Sequence, residues 1–258
     1  MDFSFVDRGP FDGTEVASPH VLMKGEIEPG DYQKLLRFAE RDKDRFLTAT
    51  FILASPGGDI TEAMRIGRLL KGIYAFVAVG RIYGPCASAC FIIFVSAVDR
   101  QSIEGLVGIH RPYVARSRLL GLTLAEAERQ QSQALRDAEN YLHGLRVPTA
   151  IVDEMFANAS SEIHWLSWDE LQQVGLRPAW WEEILIARCG LNPAQETAAL
   201  NTAGGFEEST PASAMLRAVT YCQANLALPE AEKNLDAALR RDQIGGRTAK
   251  DTPKVRSP

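Results

Sequence analysis

Long hydrophobic runs are missing from this chain. The longest, such as Cys90–Val98, are far too short to span a bilayer. A leader is missing as well. The opening MDFSFVDRGPFDG carries acidic residues and a proline where an export signal needs a basic end and an apolar stretch. A cytoplasmic location is therefore expected, with a periplasmic one as the alternative if a leader was removed. No basic stripe interleaved with aromatics is present, and the net charge of −5 points away from nucleic acid. Nothing repeats at a fixed period, which leaves out repeat architectures. Cysteine is scarce, four residues in 258, paired along the chain as Cys86/Cys90 and Cys189/Cys222. With i,i+4 spacing on one helix the first pair is poorly aimed for a disulfide. No His or Asp/Glu ligand set accompanies it, so neither a metal nor another cofactor is expected. The first pair reads as two small apolar packers around a helix start. The second pair is free to bridge in an oxidising compartment, and spacing leaves that question open.

Apolar residues make up 46% of the chain and charged residues 24%, enough for a real core. Strand-like and helix-like stretches alternate. His20–Ile27 reads as a strand and Asp31–Arg41 as a helix opened after Pro29-Gly30. Thr48–Ala54 is a second strand, ended by Ser55-Pro56-Gly57-Gly58. Asp59–Leu70 then shows helical periodicity, with Asp59 and Glu62 spaced as a capping box. Ala75–Gly80 is a strand, Ala87–Val98 a helix and Leu106–Ile109 a short strand. Helices follow from Thr123 to about His143, from Pro148 to about Asn158, and from Ser167 to Gly175. Such alternation predicts parallel pairing through right-handed crossovers. Composition shifts after about Cys189. Two Ala/Leu-rich helices are expected near Pro211–Asn225 and Pro229–Ile244, and Gly245–Pro258 reads as a polar, disordered tail. Three parts result: residues 1–188, a helical extension 189–244, and the tail 245–258.

Three segments between Ala54 and Tyr113 carry chemistry: ASPGGD, GPCASAC and VGIHRPY. Acyl transfer needs a nucleophile, a base and oxyanion donors. Ser88 supplies the first, at the start of an apolar helix after Gly84-Pro85. His110 supplies the second. A strand ending in Gly57-Gly58 and opening a helix leaves backbone N–H groups unpaired, in a field that favours negative charge. Gly58 and Ala89 are the oxyanion donors this arrangement offers. Ser88 is flanked by Ala87 and Ala89, so the G-x-S-x-G elbow is absent and an α/β-hydrolase is disfavoured.

ASPGGD after an apolar strand, CASAC at a helix start and GIHRP at a strand end resemble the proteolytic subunit of Clp protease and its ClpP-like relatives. The resemblance covers roughly His20–Leu176 and includes HWLSWDELQQVGL at His164–Leu176. It implies an α/β fold of stacked ββα units of ClpP/crotonase type, here with a helical C-terminal extension. It implies a serine peptidase acting on peptide or protein, with Ser88 as nucleophile, His110 as base, Gly58 and Ala89 as oxyanion hole, and a homo-oligomeric state. Two departures stand out. The family's aspartate falls at or beside Ile163, and the nearest acid is Glu162, which is the candidate third member. Arg111–Leu119 lacks the Gly-rich stretch that resembles the family's ring-contact region, so neither the double heptamer nor an ATPase partner carries over.

The alternatives are a crotonase-type enzyme on an acyl-CoA thioester, which would reuse the Gly-Gly donors, and a non-catalytic scaffold, favoured by the missing aspartate. His20, His143 and His164 read as structural positions. Trp180-Trp181 reads as core or interface, and the sequon at Asn158-Ala159-Ser160 as chance.

Overall fold

The computed structural model of the protein describes residues 1–11, 15–114, 116–159, 161–200 and 211–250. Two N-terminal strands, β1 (Asp2–Arg8) and β2 (Glu15–Lys24), pair antiparallel. They are followed by α1 (Asp31–Arg41), α2 (Lys43–Leu47), β3 (Thr50–Ala54), α3 (Ile60–Gly72) and β4 (Phe76–Val79). The middle of the chain adds β5 (Cys86–Ala87), α4 (Ala89–Ser96), β6 (Asp99–Ser102), β7 (Val107–Ile109) and α5 (Arg116–Leu119). Then come α6 (Leu124–Gly144), α7 (Thr149–Ala157), β8 (His164–Trp165), α8 (Trp168–Val174), α9 (Ala179–Cys189), α10 (Pro193–Leu200) and α11 (Pro211–Lys250).

One sheet runs β1-β2-β3-β4-β6 and is parallel from β2 onward. A smaller sheet runs β5-β7-β8, its first pair parallel and its second antiparallel. Parallel neighbours need crossovers, and the intervening helices supply them. The α/β class expected from the sequence is therefore the one the chain adopts. Among the described residues no helix is long and apolar enough to cross a membrane.

Helix α4 sits at the centre. All of its residues are buried, which suits a sequence, ACFIIFVS, that is apolar all round rather than on one stripe. Its C-terminal end is closed by Arg100, whose guanidinium donates to the carbonyls of Val95 and Ala97, and also to Val174 and Gly175 at the end of α8. Burial lowers the Arg100 pKa to about 10, with Asp99 opposing that shift. The side chain keeps its charge at neutral pH and satisfies carbonyls that two helix ends leave orphaned.

The C-terminal helices pack back onto this unit. Ala231, Leu235, Ala238 and Leu239 of α11 join the main core, while Trp181 and Leu185 of α9 form a second cluster with Val219 and Ala227. Asp99 of β6 anchors the extension by accepting from Arg177, Trp181 and Gln223, and Arg177 also grips Glu196. Burial pushes the Asp99 carboxyl above its ordinary value, against the pull of Arg177 and its other donors. The two C-terminal helices expected around Pro229 are one continuous helix. Proline inside a helix costs about 3 kcal/mol through a lost N–H and a clash with the preceding turn. Here helix-forming residues and buried contacts flank it on both sides, from Ala227 to Leu239. Residues 245–250 of the expected tail continue that helix, and residues 251–258 lie outside the described residues.

Candidate active site

Ser88 stands at a corner. β5 ends at Ala87, α4 begins at Ala89, and Ser88 between them has φ 57° and ψ −124°. The sequence places Ser88 inside a helix begun at Ala87, and the structure corrects this. Cys86 donates its N–H to Leu106, Ala87 to Ser55 and Ser88 to Gly108, each at 2.9 Å, so sheet pairing holds the chain extended until the corner. Backbone strain of this kind costs on the order of 1–3 kcal/mol and persists only where the surroundings over-determine it. The serine is buried, with 1% of its surface exposed, and its Oγ has no hydrogen-bond partner among the described residues.

The corner also corrects the reading of the cysteines. Cys86 lies on the strand and Cys90 in the first turn of α4, so their side chains meet across the bend instead of projecting along one helix. They form a disulfide with Cα atoms 5.3 Å apart. A second disulfide, Cys189–Cys222, ties α9 to α11.

His110 follows β7 directly. β5 and β7 are parallel, with Ala87 opposite Gly108, so Ser88 and His110 leave the same end of neighbouring strands. The ring is buried, and its Nδ1 lies 3.0 Å from the Arg111 carbonyl. With Nδ1–H donating there, Nε2 is left as the acceptor. The Arg111 peptide is itself held, its N–H donating to the Asn158 carbonyl at 3.1 Å. Ser88 and His110 are neighbours by topology and are not hydrogen-bonded to each other in this structure.

The Gly-Gly turn packs against the corner. Gly57 and Gly58 have φ of +101° and +135°, conformations that side chains rarely adopt. A Cβ on Gly57 would lie 2.6 Å from Ser88 Cβ and 3.0 Å from Ala89 N. Gly58 pairs with Ile27 through its neighbours: Ile27 N–H donates to Gly57 O and Asp59 N–H donates to Ile27 O, both at 2.7 Å. The N–H of Gly58 itself is thereby turned away from Ile27. Ala89 N–H is the first amide of α4 and has no intrahelical acceptor.

Glu162 makes no polar contact with His110 among the described residues. The β7–β8 register pairs Gly108 with Trp165 and Ile109 with His164, and one further step sets Ile163 across from His110. Ile163 and Trp165 close over Gly108, where a Cβ would meet Ile163 Cγ2 at 2.5 Å. The exposed Glu162 makes neither a hydrogen bond nor an ion pair with His110, and the polar contact of the ring is a backbone carbonyl.

One set of residues escaped sequence reasoning. Asp59 caps α3 as expected, accepting from Glu62 N–H at 2.8 Å, but the Glu62 carboxylate does not return to the cap. It takes Tyr32 N–H, Arg65 and Arg118 instead, and Arg118 Nε also donates to Asp59 at 2.5 Å. The segment after His110 is thereby tied to the helix start behind Gly58. The cap was legible; its arginine, distant in sequence, was not. Two other histidines have local partners: His20 bonds the Ser18 carbonyl, and His164 lies 2.7 Å from Glu170. A cavity of about 870 Å³ lies elsewhere, lined by Tyr32, Arg37, Arg65, Arg68, Asn234 and Arg241, and includes none of the candidate catalytic groups. Among the described residues no three metal-ligating side chains converge.

No protein-family model and no curated protein sequence matches the chain. Among solved structures it is similar to a mutant of ClpP1 from Listeria monocytogenes, at 19% identity and a TM-score of 0.45, over 60% of this chain and 86% of that one. It is also similar to a mutant of 1510-N, a membrane-bound stomatin-specific protease, at 18% identity and a TM-score of 0.40, over 66% of this chain and 83% of that one. Likeness at this level says nothing of the chemistry of this chain.

Proposed function

We propose that the chain is a ClpP-like serine peptidase with Ser88 as nucleophile and His110 as base. The observation that carries this reading is the strained strand-to-helix corner at Ser88, set against the Gly57–Gly58 turn and beside the end of β7. Backbone strain of this kind gathers at active sites, and here it falls on a buried serine with no partner among the described residues.

In the proposed reaction Ser88 Oγ attacks the scissile carbonyl carbon and its proton passes to His110 Nε2. The oxygen of the resulting tetrahedral adduct takes hydrogen bonds from Gly58 and Ala89 N–H, and the field at the start of α4 favours its charge. His110 then returns the proton to the leaving amine as the C–N bond breaks, and water releases the acyl group by the same steps. The Arg111 carbonyl supports the role given elsewhere to a carboxylate: it fixes the ring and its tautomer, without neutralising the imidazolium. This makes the site a Ser-His dyad. Glu162→Gln is accordingly expected to leave turnover within about threefold of the parent, since no charge-assisted hydrogen bond is lost.

A fluorophosphonate probe followed by peptide mapping tests the reading. Labelling at Ser88, abolished in Ser88→Ala and His110→Ala, supports the peptidase. Absence of labelling together with tight coenzyme A binding would favour the crotonase reading, and absence of both would leave a scaffold. Exposed apolar side chains at Leu120, Leu122 and Leu124, and at Tyr113, Ile163 and Trp165, support an extended peptide substrate and a homo-oligomer. Light scattering that gives a monomer at micromolar concentration would refute the oligomer. Both disulfides favour the periplasmic alternative over the cytoplasmic expectation, since no described cysteine is left free and such bonds persist in oxidising compartments.

A further inference from the structure

Ser88 is the middle residue of the loop that the Cys86–Cys90 disulfide closes. The structure assigns this disulfide a positioning role: it clamps the corner and holds the Ser88 backbone in its strained conformation. The catalytic consequence rests on the reading of Ser88 as nucleophile, whereas the clamp itself does not.

The serine side chain cannot place itself, because its Oγ has no hydrogen-bond partner among the described residues. Position must come from the backbone, and the backbone has an easier alternative. Ala87-Ser88-Ala89 is a good helical sequence, and α4 extended backward by one turn would relieve the positive φ at Ser88. That rearrangement would trade the Ala87–Ser55 and Ser88–Gly108 hydrogen bonds for helical ones, so hydrogen bonding alone discriminates weakly against it. It would also carry Oγ off the Gly57–Gly58 turn.

The disulfide forbids this exchange. Cys86 is fixed by its strand, through Leu106 and through pairing with Val107, while Cys90 is fixed by the buried helix. A covalent tie between the two keeps Cys86 on the strand side and Cys90 on the helix side, leaving the bend to fall at Ser88. Both cysteines are 0% exposed, which denies a solvent thiolate access to either sulfur. The clamp is therefore a fixed part of the folded site and not a switch worked by passing thiols. Cys189–Cys222 differs in kind. It spans a sequence separation of 33 against 4, and it joins α9 to α11 away from the corner.

The two disulfides make a paired experiment. Cys86→Ala/Cys90→Ala keeps small apolar side chains in place and opens the clamp, while Cys189→Ala/Cys222→Ala opens the other bond. Fluorophosphonate labelling of Ser88 is expected to slow roughly 10- to 100-fold in the first variant, the population lost when strain of this size is no longer over-determined. Amide exchange across residues 86–91 is expected to speed up by a similar factor. The second variant should lose more thermal stability, because its closed loop is longer, yet label Ser88 at the parental rate. Adding Ser88→Gly to the first variant should restore exchange protection, since glycine adopts this backbone without strain. Parental labelling and parental exchange in Cys86→Ala/Cys90→Ala would overturn the proposal. If the parent itself fails to label, the nucleophile reading falls and the exchange measurements still decide the clamp. If Cys86→Ala/Cys90→Ala fails to fold, rescue by Ser88→Gly supports the clamp, and failure of that rescue shows a general staple and overturns it.

Discussion

Replacing the candidate nucleophile should make this protein more stable. Ser88→Ala removes only Oγ. The retained Cβ keeps the contact with Gly57 and leaves the corner strain unchanged. What disappears is a hydroxyl with 1% exposure at its residue and no hydrogen-bond partner among the described residues. Leaving such a group buried and unpaired costs about 1–3 kcal/mol. Against this stands the void of one oxygen, worth about 0.3 kcal/mol at about 24 cal/mol per Å³. The net expectation is a gain of about 1–3 kcal/mol, read at about 2–4 °C of Tm per kcal/mol for a chain of this size. Urea unfolding should show a higher midpoint at unchanged slope, which separates a stability change from a change in compactness. Hydrolysis and fluorophosphonate labelling should vanish in the same preparation, the trade between stability and activity that strained sites show. A variant destabilised by 1 kcal/mol or more would mean that Oγ has a partner, and the reasoning fails. Retained hydrolysis would remove Ser88 from the mechanism altogether.

Gly57→Ala places a Cβ 2.8 Å from the Ala87 carbonyl at a φ of +101°, so a loss of about 2–4 kcal/mol and of all turnover is expected; near-parental activity in a folded variant would refute the packing at the corner. Arg118→Gln leaves the buried Asp59 and Glu62 carboxylates short of a donor. It should lower the urea midpoint by the equivalent of about 1–3 kcal/mol and reduce kcat through the loosened segment after His110. The Glu170 carboxyl is held below its ordinary value of 4.5: burial works upward, but hydrogen bonds from Ser167 and His164 outweigh it. A depressed folded pKa gives stability that is whole above pH 4.5 and drains as pH falls through the folded value. Thermal melts of the parent and of Glu170→Gln should therefore converge in acid, and a gap unchanged at low pH would contradict the assignment.

Helix starts were the most legible features, because their signals are local. The helices read from Thr123 and from Ser167 do start there, each closed by a full reciprocal capping box, and strands β3 and β4 lie within the segments read as strands. At Asp59 the same local signal was half right. The cap forms, but Glu62 answers to arginines, and one of them lies on α5. The run at Ala87 misled for a related reason. The alanines on either side of Ser88 favour helix locally, while Leu106, Ser55 and Gly108 take the amides of Cys86, Ala87 and Ser88 into a sheet. Trp181 was open between core and interface by sequence. Its indole meets Asp99 inside the second core cluster, leaving Trp180 as the exposed one of the pair.

The sequence by itself determined the α/β alternation, the Gly-Gly turn, and the order of serine and histidine. Each of these depends on residues close together along the chain, where propensity and periodicity act. Only the tertiary structure decided the φ of Ser88, the Cys86–Cys90 bond across its corner, and the contact of the His110 ring with the Arg111 carbonyl. These depend on which strands lie side by side. A parallel pair such as β5 and β7 brings together segments joined through a buried helix, and no local preference in either segment encodes that meeting.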